Sequence, residues 1–167
     1  IRRKYFENFM PLTTSGLKIP SFIILVTAWD NIPIGRDVEK PWQDKLNFPN
    51  LIYYGDNKNS KKEFSPSIYS KEGCRNLLAA KEISDRPDEN KKLIPPILYF
   101  TKRKTGYMTF EGMFQIESLS IYDMGRGCEN VELNLLCTSK LINLDELRKR
   151  SLANNYESLP KIDQYQS

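Results

Sequence analysis

An aromatic and acidic cluster near residue 50 is the part of this 167-residue sequence best suited to chemistry. The apolar run from Leu51 ends in two tyrosines, Tyr53 and Tyr54, and is followed by Gly55. Asp44 lies nine positions before Tyr53. If the two segments face each other, aromatic rings and a carboxylate meet in one pocket. Such a pocket suits a flat ring with hydrogen-bonding edges, such as a nucleobase.

Two tryptophans offer a second aromatic wall for that pocket. Trp42 lies two positions before Asp44, and Trp29 with Asp30 forms a rival aromatic–carboxylate pair. Taken alone, an aromatic residue is usually a core or strand residue and an aspartate usually a turn residue. The functional interpretation gains weight because these residues surround one irregular loop and one strand end, and aromatic clefts with a few polar groups bind flat ligands.

Basic residues occur in three groups that could contact a nucleic-acid backbone. They are Lys58, Lys61 and Lys62, then Lys71 and Arg75, then Lys102, Arg103 and Lys104. Each group taken alone is a solvated surface by default. The loop-borne groups are nevertheless well placed for phosphates, which receive about half or more of protein–DNA hydrogen bonds. Arg148–Lys149–Arg150 instead ends a predicted helix, where cations favour the helix dipole.

Composition predicts one globular domain and excludes several kinds of chemistry. Apolar residues make up 40% and charged residues 28%, and the net charge of +4 permits a nucleic-acid partner without demanding one. The absence of histidine excludes histidine-metal nucleases and Ser-His-Asp or Cys-His catalysis within this chain. The three cysteines lack metal-ligand spacing, which predicts reduced thiols in a cytoplasmic protein.

Targeting signals are not visible in the sequence. The longest apolar stretch, residues 22–28, is too short to span a bilayer, and no signal peptide opens the chain. The sequence begins at Ile1 rather than methionine, so we expect a piece of a longer protein.

Residues 87–91 contain the letters of a metal-nuclease motif, with Asp88, Glu89 and Lys91 close together. Two-metal chemistry needs carboxylates brought together from separate strand positions, whereas these residues are adjacent in a charged turn. We therefore expect no catalytic residue, no metal site and no cofactor in this chain.

Hydrophobic patterns predict an α+β domain built on a mostly antiparallel sheet or barrel. Strands are predicted at residues 21–27, 51–54, 97–101, 107–116, 119–123 and 131–138. A helix is predicted over residues 70–83, and a capping motif at Asn143–Glu146 predicts a second helix ending near Arg150. Residues 30–50 are predicted to be an irregular connection and residues 102–106 a basic turn.

Three segments, residues 41–44, 52–58 and 73–78, resemble a known family. They are similar to the SRA-like (SET- and RING-associated-like) recognition domains of modification-dependent restriction endonucleases. The family has an aromatic-x-Asp segment, a strand ending in Tyr-x-Gly or Tyr-Tyr-Gly-Asp, and a Gly-Asn-Arg-x-Leu helix start. Residues 94–100, 110–112 and 130–134 also resemble its strands, so the resemblance runs from about residue 20 to residue 150.

The resemblance implies a bent, SRA/PUA-like β-barrel with two or so flanking helices. Such domains read 5-methylcytosine or 5-hydroxymethylcytosine by flipping the base into an aromatic pocket. Carried over to this sequence, Trp42 and Tyr53 are the walls and Asp44 accepts from the exocyclic amine. Tyr54 and the Gly55 backbone line the floor, with Asp56, Asn57 and Lys58 at the rim, and Arg75 and Asn76 match the helix start.

Two residues depart from the family pattern. Cys74 stands where the family has asparagine, which puts a polar role there in doubt. The proposed wall is Trp42 rather than tyrosine, which bears on the tolerated modification. The pair Trp29 and Asp30 remains open as the alternative source of the pocket.

The resulting hypothesis is a non-catalytic recognition domain of a restriction endonuclease in the prokaryotic cytoplasm. Its partners are double-stranded DNA with modified cytosine and a nuclease domain, with no membrane contact. Residues 1–20 are expected to be an extension, residues 21–152 the domain, and residues 153–167 a tail or linker. The rival hypotheses are a reader of a phosphorothioate backbone or N6-methyladenine, a metal-dependent nuclease, and an RNA-binding barrel.

Overall fold

A computed structural model describes residues 13, 15–28, 44–55, 65–86, 93–104, 106–124 and 127–153. In these ranges the chain forms one six-stranded sheet and two α-helices. The strands are β1 (Ile23–Ala28), β2 (Lys45–Asn47), β3 (Asn50–Tyr54), β4 (Ile97–Lys104), β5 (Tyr107–Asp123) and β6 (Glu129–Ser139). The helices are α1 (Glu72–Ser84) and α2 (Leu144–Ala153), and a 3-10 turn spans Ile68–Ser70.

The sheet has the order β1-β4-β5-β6-β3-β2 and is mixed. β1 pairs with β4 in parallel, and every other pairing in the sheet is antiparallel. β1 is rich in β-branched residues, which favour extended backbone. In β6, Val131, Leu133 and Leu135 alternate inward and are essentially fully buried, as expected for a strand with one face on a core.

β5 is the strand that connects the two halves of the sheet. Its residues from Tyr107 to Phe114 pair with β4, and its residues from Met113 to Asp123 pair with β6. The two ladders overlap only at Met113 and Phe114, and both are irregular beside this point. Bulges of this kind bend a strand and raise its twist, so the two halves of the sheet turn toward one core.

The core lies between the inward faces of these halves and α1. Cys74, Leu77 and Ala80 recur at three-residue spacing along α1 and are buried in the same cluster as Leu25 and Leu133. Each fully buried leucine contributes roughly 1.5–3 kcal/mol relative to exposure. The helix therefore covers the inward face of the sheet and completes the core.

Most predicted elements are confirmed, with four differences. β2 lies inside the connection predicted to be irregular, because its three residues pair with β3. The turn predicted over residues 102–106 is shorter than expected, since residues 102–104 continue β4 and the chain reverses between Lys104 and its partner Tyr107. The two strands predicted over residues 107–123 are one strand. α2 continues to Ala153, three residues beyond the predicted end.

The predicted α+β architecture, mostly antiparallel with two helices, is confirmed. The predicted closure of the sheet into a barrel is not confirmed, because no ladder between described strands joins β1 to β2 or β3. No helix in the described part of the chain is long and apolar enough to cross a membrane.

Gly112 marks the bend of β5 and leads to a stability prediction. Its φ of +153° is rarely adopted by other residues, and an added Cβ would lie 2.8 Å from Cys137 Sγ and 3.0 Å from the Ser139 carbonyl oxygen. We expect Gly112→Ala to lower the free energy of unfolding by about 2–4 kcal/mol, combining backbone strain with overpacking. Urea denaturation measures this loss.

Gly106→Ala is the matched control for the steric part of that loss. Gly106 also has a positive φ, +85°, but an added Cβ would have nothing within 4 Å. It should cost only the backbone term, about 1 kcal/mol. Equal losses at the two glycines would contradict the steric explanation.

Candidate functional site

Asp44 is the buried carboxylate at the centre of the candidate site. It directly precedes β2 and its side chain is 7% exposed. Its Oδ2 atom accepts a hydrogen bond of 2.6 Å from the Thr27 hydroxyl, and its Oδ1 atom accepts one of 2.9 Å from the Tyr54 backbone N–H. The carboxylate is thereby held from two sides, by β1 and by β3.

The bridge made by Asp44 shows how strongly the sheet is bent. β1 and β3 are separated by three intervening strands, which in a flat sheet is a spacing of about 19 Å between the two. Because Thr27 Oγ1 and Tyr54 N bond the same carboxylate, they lie within roughly 8 Å of each other. A side chain therefore joins two parts of the sheet that no ladder connects among the described residues.

The Thr27 hydroxyl is itself part of a longer chain of hydrogen bonds. The Tyr99 hydroxyl, on β4, lies 3.0 Å from Thr27 Oγ1. An ionised carboxylate can only accept, so the Thr27 proton goes to Asp44 and the Tyr99 hydroxyl donates to Thr27. Tyr99 is fully buried and its ring meets Phe114 edge to face, with centroids 5.7 Å apart. The chain of hydrogen bonds thus begins in the core and ends at Asp44.

Burial raises the pKa of Asp44 above its ordinary value. The hydrogen bonds from Thr27 and from the Tyr54 backbone lower the pKa, but they offset only part of the desolvation. The ionised form is therefore less favourable here than in the unfolded chain. Perturbed carboxylates of this kind are common at functional sites, although structural networks produce them too.

The two tyrosines of β3 face opposite sides of the sheet, as successive strand residues must. The Tyr53 ring packs against the core cluster, and Tyr53 pairs with the buried Leu133. The Tyr54 ring meets Tyr122 edge to face, with centroids 6.3 Å apart. Tyr53 therefore shares the inward side with Thr27 and Tyr99, while Tyr54 reaches Asp44 through its backbone N–H.

The outward side of this region carries its own polar group. Burial raises the pKa of Tyr54 to about 12, aided by its hydrogen bond to Glu132 and by that carboxylate's charge. Tyr54 is therefore neutral at physiological pH and donates to Glu132. Because the ring is engaged there, any contribution of Tyr54 to the floor of an inward pocket comes from its backbone.

Gly55 is required by close packing at the end of β3. Its N–H donates to the Val131 carbonyl at 2.9 Å, and an added Cβ would lie 2.5 Å from Val131 Cγ2 and 3.2 Å from Cys74 Sγ. Cys74 is 1% exposed and belongs to the core. The cysteine that departs from the family pattern therefore packs α1 against the strand end.

The basic residues predicted to contact DNA are only partly described. Lys71 is the N-cap residue of α1, and Arg75 donates through Nη1 to the Tyr69 carbonyl at 2.5 Å. Lys102 is half-buried on β4, opposite Ala28. The side chains of Arg103 and Lys104, and the whole of Lys58, Lys61 and Lys62, lie outside the described residues. The DNA-contacting roles of this set stay predictions.

The structural interpretation of Arg150 is confirmed. Its guanidinium pairs with Glu146 at 2.9 Å and donates to the Ile94 carbonyl at 3.0 Å. At the other end of α2, Asn143 Oδ1 accepts from the Glu146 N–H at 3.0 Å, as the capping motif predicts.

Several predicted site residues lie outside the described part of the chain. They are Trp29, Asp30, Trp42 and Asp56, with Asn57 beside them. The nuclease-like motif at residues 87–91 lies outside it as well. In the described ranges no group of three or more acidic or cysteine side chains could hold a metal ion, and no disulfide joins Cys74, Cys128 or Cys137.

Sequence reasoning missed Thr27 and Tyr99. A weak signal was present, because Thr27 follows Ile23 and Leu25 at inward positions of β1, where another apolar residue would be expected. The neighbouring inward position of β4 is also threonine: Thr101 pairs with Thr27 and donates to Glu111 Oε1 at 2.5 Å. Recognising the pattern required knowing that β1 pairs with β4.

The raised pKa of Asp44 predicts how stability depends on pH. The folded pKa lies above the unfolded value, so protonation favours the folded state. This stabilisation is full below the unfolded pKa and is lost as pH rises through the folded pKa. Relative to Asp44→Asn, which does not titrate, we expect the wild type to gain stability as pH falls from 7 toward 4.

Urea denaturation of both proteins across that pH range measures the effect, and the other carboxylates cancel in the difference. If the free energy of unfolding of the wild type instead falls relative to that of Asp44→Asn as the pH is lowered, the raised pKa of Asp44 is contradicted.

Three solved structures are similar to this chain, two of them with a TM-score above 0.5. MspJI restriction endonuclease in complex with a 27-mer oligonucleotide matches with a TM-score of 0.52 and 20% identity, covering 77% of this chain and 32% of that one. The DNA recognition domain of the cytosine modification-dependent restriction endonuclease LpnPI matches with a TM-score of 0.53 and 19% identity. The match covers 83% of this chain and 68% of that domain's chain. The SUVH5 SRA domain in complex with fully methylated CG DNA has a TM-score of 0.46 and 16% identity. This match covers 78% of this chain and 71% of that one.

This chain thus spans about a third of MspJI. A search of curated proteins finds no significant match. The family model described as restriction endonuclease AspBHI N-terminal matches residues 9–124, well over half of the sequence. The sequence resemblance is thereby confirmed, and the chain belongs to the family of AspBHI-type N-terminal domains of restriction endonucleases.

Proposed function

We propose that this domain binds double-stranded DNA containing a 5-modified cytosine and flips that base into a pocket at Asp44. It would direct a nuclease located outside residues 1–167 to modified DNA and have no catalytic activity of its own. Membership in a restriction endonuclease family and the fold shared with the LpnPI recognition domain support this proposal.

The hydrogen bonding of Asp44 is the observation that carries the proposal. An ionised carboxylate has about four acceptor positions, and the described residues fill two of them through Thr27 and Tyr54. Among the described residues, no group fills the second acceptor position of either oxygen, which leaves both positions to a ligand's donor in this proposal. The exocyclic amine of cytosine is such a donor, and it would be exposed once the base leaves the duplex.

The Tyr53 ring supplies a stacking surface on the same side of β3 as the bonds made by Asp44. Stacking of a base on an aromatic side chain is worth roughly 1–3 kcal/mol. The opposite wall is assigned to Trp42, two positions before Asp44, with Trp29, two positions after Thr27, as the alternative.

Binding to four forms of one short duplex tests the proposal. The forms are unmodified, 5-methylcytosine, 5-hydroxymethylcytosine and N6-methyladenine, all at the same salt concentration. We expect a preference of tenfold or more, about 1.4 kcal/mol, for a cytosine form. Equal binding to all four would contradict modified-base recognition. A preference for N6-methyladenine would show that the domain recognises modified adenine instead of modified cytosine.

Substitutions locate the pocket once a preference is found. Asp44→Ala and Tyr53→Ala should abolish the preference, since each removes a contact to the flipped base. Tyr54→Ala is the matched control for Tyr53→Ala, because it removes the neighbouring ring from the outward side and keeps the backbone N–H. Trp42→Ala and Trp29→Ala, tested in parallel, decide between the two walls. Preserved discrimination in Asp44→Ala would place the pocket elsewhere.

Lys102 should contribute to DNA affinity without contributing to discrimination. Lys102→Ala is expected to weaken binding to modified and unmodified duplexes equally and to reduce the slope of log affinity against log salt by about 1. Lys149→Ala, on the exposed side of α2, is the matched control and should leave both quantities unchanged. Equal slopes for Lys102→Ala and wild type would remove Lys102 from the interface.

A further inference from the structure

Of the two hydrogen bonds that described residues make to Asp44, the one from the Thr27 hydroxyl comes from a side chain, and the one from Tyr54 comes from the backbone. The Thr27 bond of 2.6 Å is short, as expected for a hydroxyl donating to a carboxylate. Thr27 is 6% exposed, so water competes little for either partner. At such a site the orientation of one side chain depends directly on the other.

Tyr99 removes the remaining freedom of the Thr27 hydroxyl. A threonine hydroxyl can rotate, but here its lone pair accepts from Tyr99 at 3.0 Å while its proton is directed to Asp44. Tyr99 cannot move away easily, because it is fully buried and packs on Phe114. The position of Asp44 Oδ2 is therefore defined relative to the core.

The Tyr54 N–H fixes the other oxygen of the carboxylate. Two contacts to two different oxygens determine the plane in which the carboxylate lies. That plane decides where the acceptor positions left for a ligand point, and a hydrogen bond from a base weakens steeply once its angle at the donor falls below about 120°.

We propose that Thr27 is a positioning residue for recognition: its hydroxyl orients the Asp44 carboxylate so that the acceptor positions left on it face the flipped base. This inference rests on the proposed function. It extends the site from the aromatic and acidic residues of the strand end to β1 and, through Tyr99, to the core.

Thr27→Val is the test variant, because it replaces the hydroxyl by a methyl group and keeps the β-branched shape suited to β1. Its expected effect is a loss of about tenfold in the preference for modified over unmodified duplex, the scale of one hydrogen bond to a charged group. Affinity for unmodified duplex should stay at the wild-type value, which a general loss of structure would not allow.

Thr101→Val is the matched control. Thr101 is the residue paired with Thr27, is fully buried, and also donates to a carboxylate, that of Glu111. It makes the same chemical change one strand away without touching Asp44, so the preference should remain. A loss as large as that of Thr27→Val would show that any buried threonine in this region matters, and would overturn the proposal.

Thr27→Ser separates positioning from packing, and it remains informative if the valine variant does not fold. Serine keeps the hydroxyl and lacks the methyl group, so positioning predicts a retained preference whereas packing predicts a loss. A lost preference in Thr27→Ser overturns the proposal. A wild-type protein without any preference refutes the proposed function, whereas a wild-type preference that Asp44→Ala abolishes and Thr27→Val preserves refutes only the role of Thr27.

Discussion

The hydrogen-bonded carboxylate of Asp44 is the constraint on which the arrangement of this domain depends. A charged group is costly to bury unless it is hydrogen-bonded, and here the bonds come from two strands far apart in the sheet order. The sheet must therefore curve until β1 and β3 approach the same side chain. The same contact that joins the strands also leaves acceptor positions at the strand ends, so one residue has both a structural and a candidate binding role.

Two glycines permit the approach that Asp44 requires. Gly112 lies where the ladders of β5 change partners, and Gly55 brings the end of β3 against Val131 and Cys74. In both places an added methyl group would be closer than 3.0 Å to an atom of a neighbouring strand. The curvature of the sheet and the packing of α1 thus depend on two residues that have no side chain as much as on the hydrophobic residues that fill the core.

Local patterns predicted what is local in this structure. The alternation of Val131, Leu133 and Leu135 predicted β6, and Asn143 predicted the start of α2. The turn predicted over residues 102–106 was too long, because the pairing of Lys104 with Tyr107 extends β4 into residues of polar composition. For the candidate site, Asp44 and Tyr53 were predicted from residue type and spacing, and their binding role stays a prediction. Thr27 and Tyr99 were not predicted, because their link to Asp44 exists only through tertiary contacts. Thr27 is 17 positions from Asp44 in the sequence, and Tyr99 is 72 positions from Thr27.

The parallel pairing of β1 with β4 has a consequence for folding. Ile23 pairs with Ile97, 74 positions later in the sequence, so this ladder closes a long loop that contains β2, β3 and α1. Loops of this length are slow to close, since their entropy is lost before the contacts form. The β-meander of β4, β5 and β6 has far shorter connections and can assemble first. The support of Asp44 by Thr27 is then among the last features to form, so an incompletely folded chain would lack the oriented carboxylate of the candidate site.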